Sequence, residues 1–144
     1  MTAPLPPHAY VPGRTARHPD GAFADLTATA QPGMSIAALA ACPAWRIGWD
    51  WLQAGYGWEA HELFEAVWTV LPPNSRERAL VQAAIQVANA GLKARMGQPR
   101  AVARITDLAR GHLAFAGPQG AAGMGVTLER LETLLQAAAN LDAE

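Results

Sequence analysis

The sequence predicts an all-α fold, a multihelical bundle in which a central helix is surrounded by others and preceded by an extended N-terminal arm. Three observations carry this. No stretch alternates polar and apolar residues with a period of two for long enough to build a sheet. The chain is rich in alanine, with 51% hydrophobic and 16% charged residues, as expected of a protein with a real core. Segments of helical periodicity are separated by prolines, glycines and capping residues at the positions where helices start and stop. A length of 144 residues suits one domain. We expect the arm to span residues 1–33 and pack on a helical domain of residues 34–144.

The arm holds most of the punctuation: Pro4, Pro6, Pro7, Pro12, Gly13, Pro19, Gly21, Pro32 and Gly33. This reads as extended chain with at most a short helix around Ala22 to Ala30. Tyr10, Val11 and Phe23 are its anchors, and His8 and His18 read as solvated. Ser35 caps a short helix through Ala41, and Pro43 opens another to Ala54, ended by Gly55. On that helix Trp45, Trp49 and Leu52 recur at helical spacing, so the tryptophans at 45, 49 and 51 read as core. The next helix runs from Gly57 or Trp58 to about Val70, where Pro72-Pro73 ends it. Asn74 with Glu77 forms a capping box for a helix to about Met96. Pro99 begins a further helix to about Phe115, followed by a glycine-rich loop from Gly117 to Gly125. Thr127 caps a last helix to Leu141.

The fourth of these helices concentrates the chemistry. At roughly 100° per residue, Trp58, His61, Glu62, Glu65 and Trp68 share one arc while Leu63, Phe64 and Val67 lie opposite. Both sides read as buried, so the charges need partners. The following helix carries Gln82, Gln86, Asn89 and Lys93 as a single polar stripe within an apolar surface too wide for an exposed helix, which makes it the central one. The short Pro-Pro connection favours antiparallel packing of the two. Amides and an ammonium facing carboxylates and an imidazole would satisfy both helices together.

Bulk properties exclude several function classes. No apolar run approaches the roughly 20 residues of a membrane helix, and no cationic start leads into an apolar secretory segment. A soluble, cytoplasmic protein is expected. The single cysteine, Cys42, excludes an internal disulfide and a cysteine zinc cluster, and lacks a base partner for nucleophilic catalysis. The net charge of -1 gives no general attraction for nucleic acid. Locally, Asp50 to Glu65 holds four acids and no base, while Arg76 to Arg110 holds seven cations and two acids. Lacking interleaved aromatics for base stacking, the basic stretch reads as neutralising the acidic one across helix contacts. Arg100 and Arg104 read as a solvated face, and His112 as a cation at the end of the basic helix.

The run Gly55-Tyr56-Gly57-Trp58-Glu59-Ala60-His61-Glu62, continued by Glu65 and Trp68, resembles the signature of the domain of unknown function 309 family. Asp50-Trp51-Leu52-Gln53 stands where that family has an Asp-Leu-Phe-Asn-like segment, with Gln53 departing from the usual Asn and Gly57 from a usual aromatic. Leu80-Val81-Gln82-Ala83-Ala84-Ile85-Gln86 and Gly97-Gln98-Pro99-Arg100 resemble its second block. The resemblance covers about Trp49 to Arg104, and Tyr10-Val11-Pro12-Gly13 with Arg17-His18-Pro19 is similar to the arm of bacterial members. It implies a multihelical bundle around a central helix and brings no established function.

The His-Glu cluster fits three kinds of site. In a metal-dependent hydrolase, His61 and Glu65 would ligate a metal and Glu62 act as base, with His112 or Asp50 as third ligand. A dinuclear carboxylate site would need a glutamate where Trp58 stands. In a small-molecule pocket, the cluster beside Trp58 and Trp68 would bind an amine or guanidinium group. In a buried polar network, Glu65 would accept from His61, and Gln82, Gln86, Asn89 and Lys93 would satisfy the remaining oxygens. The sequence favours a non-catalytic domain with such a network and no cofactor, binding a small polar ligand or a protein partner. The functional cluster comprises Trp58, Glu59, His61, Glu62, Glu65, Trp68, Gln82, Gln86, Asn89 and Lys93, and self-association is left open.

Overall fold

A computed structural model describes residues 3–143; the first two residues of the arm and Glu144 lie outside the described residues. The described residues form an all-α bundle. Its helices are α1 (Ala24–Thr27), α2 (Ile36–Ala41), α3 (Pro43–Gln53), α4 (Gly57–Val70), α5 (Arg76–Arg95), α6 (Pro99–Gly123) and α7 (Leu128–Ala143).

Helix α5 is central. It packs on α4, α6 and α7, and α3 packs on α4. Ten of its residues, from Leu80 to Ala94, are buried, many of them alanines that let neighbouring backbones approach closely. Phe64 on α4 meets Trp45 and Trp49 on α3 with ring centroids 5.1 and 5.2 Å away, and the tryptophans at 45, 49 and 51 are all core residues. The Trp45 indole N–H also donates to the Met124 carbonyl at 2.9 Å, tying α3 to the loop before α7. No helix among the described residues is long and apolar enough to cross a membrane.

The caps show how local chemistry sets the boundaries. Ser35 accepts from the Ala38 N–H and Thr127 from the Arg130 N–H, as expected. At α5 the expected Asn74–Glu77 capping box is replaced by Ser75, whose hydroxyl accepts from the Arg78 N–H at 3.1 Å. Asn74 instead takes a left-handed conformation, φ 61°, that turns the chain after Pro72-Pro73.

The glycine-rich loop expected after Phe115 is instead largely helical. Helix α6 breaks at Gly117 (φ 62°, ψ -176°) and resumes at Pro118, continuing to Gly123. Its glycines serve contact as well as turning: a Cβ on Gly120 would lie 2.6 Å from the Arg76 carbonyl oxygen, and one on Gly123 would lie 2.8 Å from the Glu77 side chain.

Candidate functional site

On α4 the core stripe is Ala60, Leu63, Phe64 and Val67, and Glu59 is buried at its edge. Glu59 is 0% exposed. Its partners come from the arm: the Tyr10 N–H donates to Glu59 Oε2 at 2.7 Å, and His18 Nε2 lies 2.6 Å from the same oxygen. A carboxylate only accepts, so Nε2 carries the proton. Glu59 Oε1 is buried without a partner.

The His18 ring is enclosed as well. It stacks on His8 with centroids 4.6 Å apart, meets Phe23 edge-on at 5.1 Å and lies 5.9 Å from Trp58. Tyr10 meets Trp58 edge-on at 5.2 Å. The expectation that His18 is solvated is therefore wrong, because an imidazole between aromatic rings finds a better acceptor in a buried carboxylate than in water; its side chain is 3% exposed. His8 is half-buried, its Nε2 donating to the Ala16 carbonyl at 2.6 Å.

The Trp58–Trp68 face of α4 is half-open rather than buried. His61 Nε2 pairs with Glu65 Oε2 at 2.7 Å, as the helical spacing implies, but their side chains are 22% and 51% exposed. Among the described residues no hydrogen bond or ion pair joins His61 or Glu65 to Gln82, Gln86, Asn89 or Lys93, so the buried interhelix network is not formed. Helix α4 presents its core stripe to the bundle, with Gly57 against the Ala88 carbonyl, which turns the polar arc away from the neighbouring helix. The stripe is half-buried on α5, and its two ends line separate clefts. Gln82 shares one with Trp68, Arg78, His112 and Phe115, and Lys93 the other with Arg100 and Arg104. Gln86 and Asn89 meet each other at 3.5 Å.

Trp58 and Trp68 likewise serve different places. The Arg78 guanidinium lies 3.9 Å from the centre of the Trp68 ring and donates to the Trp68 carbonyl, so that face is already occupied. Trp58 and Glu62 open instead into a cleft of about 320 Å³ whose other wall is arm and α1, with Asp20, Phe23 and Arg17 among its lining. Burial holds the Glu62 carboxyl above the ordinary glutamate range; His61 pulls it down and Glu65 pushes it up, both more weakly. Glu62 has no hydrogen-bond or ion-pair partner among the described residues.

The potential third metal ligands lie elsewhere. Asp50 borders a cleft with Arg46 and Arg130, and His112 sits beside Trp68. Among the described residues no three His, Cys, Asp or Glu side chains are grouped so as to hold a metal ion. His112 is also not the expected helix-end cation: burial lowers its pKa and favours the neutral ring.

Nor do the acidic and basic stretches neutralise each other. Glu59 and Glu65 of α4 pair with histidines, whereas the arginines of α5 reach backbone carbonyls: Arg76 that of Phe115, Arg78 that of Trp68 and Arg95 that of Gly55. Arg110 of α6 pairs with Glu132 of α7 at 2.6 Å. Sequence reasoning named Glu59 but missed its partners; the available signal was its place beside the core stripe, where a carboxylate needs donors from another segment.

No curated protein and no solved structure matches the chain. Residues 45–105 match the family model described as a domain of unknown function (DUF309). That span runs from Trp45 on α3 through the acidic helix and all of α5 to Ile105 on α6, and over it the chain is similar to the DUF309 family.

Proposed function

We propose that this chain binds a small cationic ligand, an amine or guanidinium compound, in the cleft between the arm and α4. The observation that carries the reading is the pairing of the Trp58 indole with the unpaired, partly desolvated Glu62 carboxylate on one wall of a cleft about 320 Å³ in volume. Such a carboxylate is short of solvation, and an organic cation supplies both counter-charge and an apolar body that stacks on an indole. Asp20 and Phe23 repeat the same two chemistries on the opposite wall. Arg17 also lines the cleft, exposed and without an ion pair to either carboxylate; it is the resident competitor. Binding requires no chemistry, in keeping with a non-catalytic domain.

Isothermal titration with putrescine, agmatine, arginine and choline, against urea and butanol as neutral controls, tests this. Saturable binding of at least one cation is expected, weakened tenfold or more by Glu62→Gln, little changed by Glu65→Gln and strengthened by Arg17→Ala. Absence of saturable binding at millimolar concentration, or equal affinity in Glu62→Gln, would overturn it.

A further inference from the structure

We propose that the arm is a strap that closes over α4 to build the ligand cleft, and that Glu59 is the positioning residue that holds it shut. The cleft function rests on the cation-binding reading above; the strap itself rests on independent geometry.

Among the described residues, the partners of Glu59 come from the arm alone, and both meet Oε2. Its two hydrogen bonds, from Tyr10 and His18, arise 49 and 41 residues earlier in the chain. When the arm lifts, the carboxylate regains water, and so do its two donors. Water then replaces the two arm donors at Oε2 and reaches the unpartnered Oε1, which allows local opening without loss of the helical core.

The strap is also a self-contained loop. The Val11 N–H donates to the Thr15 hydroxyl at 2.8 Å, that hydroxyl donates to the Ala9 carbonyl at 2.8 Å, and the Arg14 N–H donates to the Val11 carbonyl at 2.9 Å. His8 closes the base through Ala16 and stacks on His18. Residues 8–18 thus carry their own internal bonds, in the manner of a compact surface loop, and can swing as one piece.

Strap and cleft wall are continuous along the chain. His18, the side chain gripped by Glu59, is followed directly by Pro19, Asp20 and the residues to Ala24 that line the cleft opposite Trp58 and Glu62. Releasing His18 frees the Arg17–Asp20 part of that wall, while Phe23 stays held against Trp51 at 5.3 Å. Ligand in the cleft and closure of the strap then favour each other by the same factor, and weakening the Glu59 grip lowers affinity through the fraction of closed molecules, with Trp58 and Glu62 untouched.

Limited trypsin digestion of the folded chain, followed by mass spectrometry, reads strap opening at Arg14–Thr15 and Arg17–His18, both arginines being exposed. Cleavage within α5 at Arg78 and Lys93 reports on the core. Glu59→Ala should accelerate strap cleavage tenfold or more with core cleavage unchanged, and Glu59→Gln, which retains an acceptor, should fall between it and the parent. His18→Ala acts from the arm side and should give the same local acceleration, so the proposal stays testable if Glu59→Ala fails to fold. A cation from the panel that binds the parent should slow strap cleavage and bind Glu59→Ala or His18→Ala at least fivefold more weakly. Strap cleavage unchanged in His18→Ala and Glu59→Gln would overturn the strap, whether or not cations bind. Faster strap cleavage with no cation bound by the parent would leave the strap standing and overturn the ligand reading.

Discussion

The imidazole of His18 grips the buried carboxylate of Glu59 at 2.6 Å, across 41 residues of sequence, and so joins the arm to the acidic helix. His18→Leu keeps the aromatic enclosure filled but leaves Glu59 one donor short in a dry site. We expect a loss of about 1–3 kcal/mol, limited because the arm can lift and admit water. His18→Gln, which can still donate, should lose less. Denaturant melts of the two variants check the order, and equal losses would contradict it.

Glu65 gives the opposite expectation. Had it stood in a buried interhelix network, Glu65→Ala would cost roughly 3 kcal/mol or more. With half of its side chain exposed and a single i,i+4 partner in His61, the cost should stay under about 1 kcal/mol. Denaturant melts at low and high salt measure it, and most of the small loss should disappear in high salt.

Glu62 has its carboxyl pKa raised by burial, so the folded state holds this proton more tightly than the unfolded one. The group's contribution is fully present below the ordinary glutamate value, declines as pH rises through the raised folded value and is level above it. Glu62→Gln should therefore match or exceed the parent in stability near pH 7, by less than about 1 kcal/mol because the side chain is half open to water. That advantage should shrink as pH falls through the folded value towards 4. Melts at several pH values trace the difference, and a Gln variant that loses ground as pH rises would reverse the sign.

Two glycines of α6 separate contact from propensity. Gly120→Ala places a methyl 2.6 Å from the Arg76 backbone oxygen and should destabilise by about 1–3 kcal/mol. Gly111 is exposed, helical and has open space around a Cβ, so Gly111→Ala should stabilise by about 0.5–1 kcal/mol. Thermal melts of the pair should move in opposite directions.

Much of the helical framework was legible because its punctuation is local. Pro43 and Pro99 open helices, Ser35 and Thr127 cap them, and Gly55 and Gly97 follow their ends with positive φ. The site was legible only in part. A helical wheel shows which residues share a face, and so found the His61–Glu65 pair, but it does not show which neighbour meets that face. The arm has no periodicity to read, so nothing local signalled that His18 would reach Glu59. Gly120 and Gly123 have the composition of a loop; their close approach to α5 depends on a tertiary contact that composition does not encode.

The three arginines of α5 that end on carbonyl oxygens have a consequence for behaviour in solution. Arg76 meets the last turn before the Gly117 break, Arg78 the end of α4 and Arg95 the turn after α3, so one helix fastens the ends of three others. Carbonyl dipoles and aromatic faces are short-range partners, far less sensitive to the ionic atmosphere than carboxylates at a distance. A bundle assembled by mutual neutralisation of its acidic and basic stretches would loosen as salt is added. This one should keep nearly the same melting temperature from dilute buffer to molar salt.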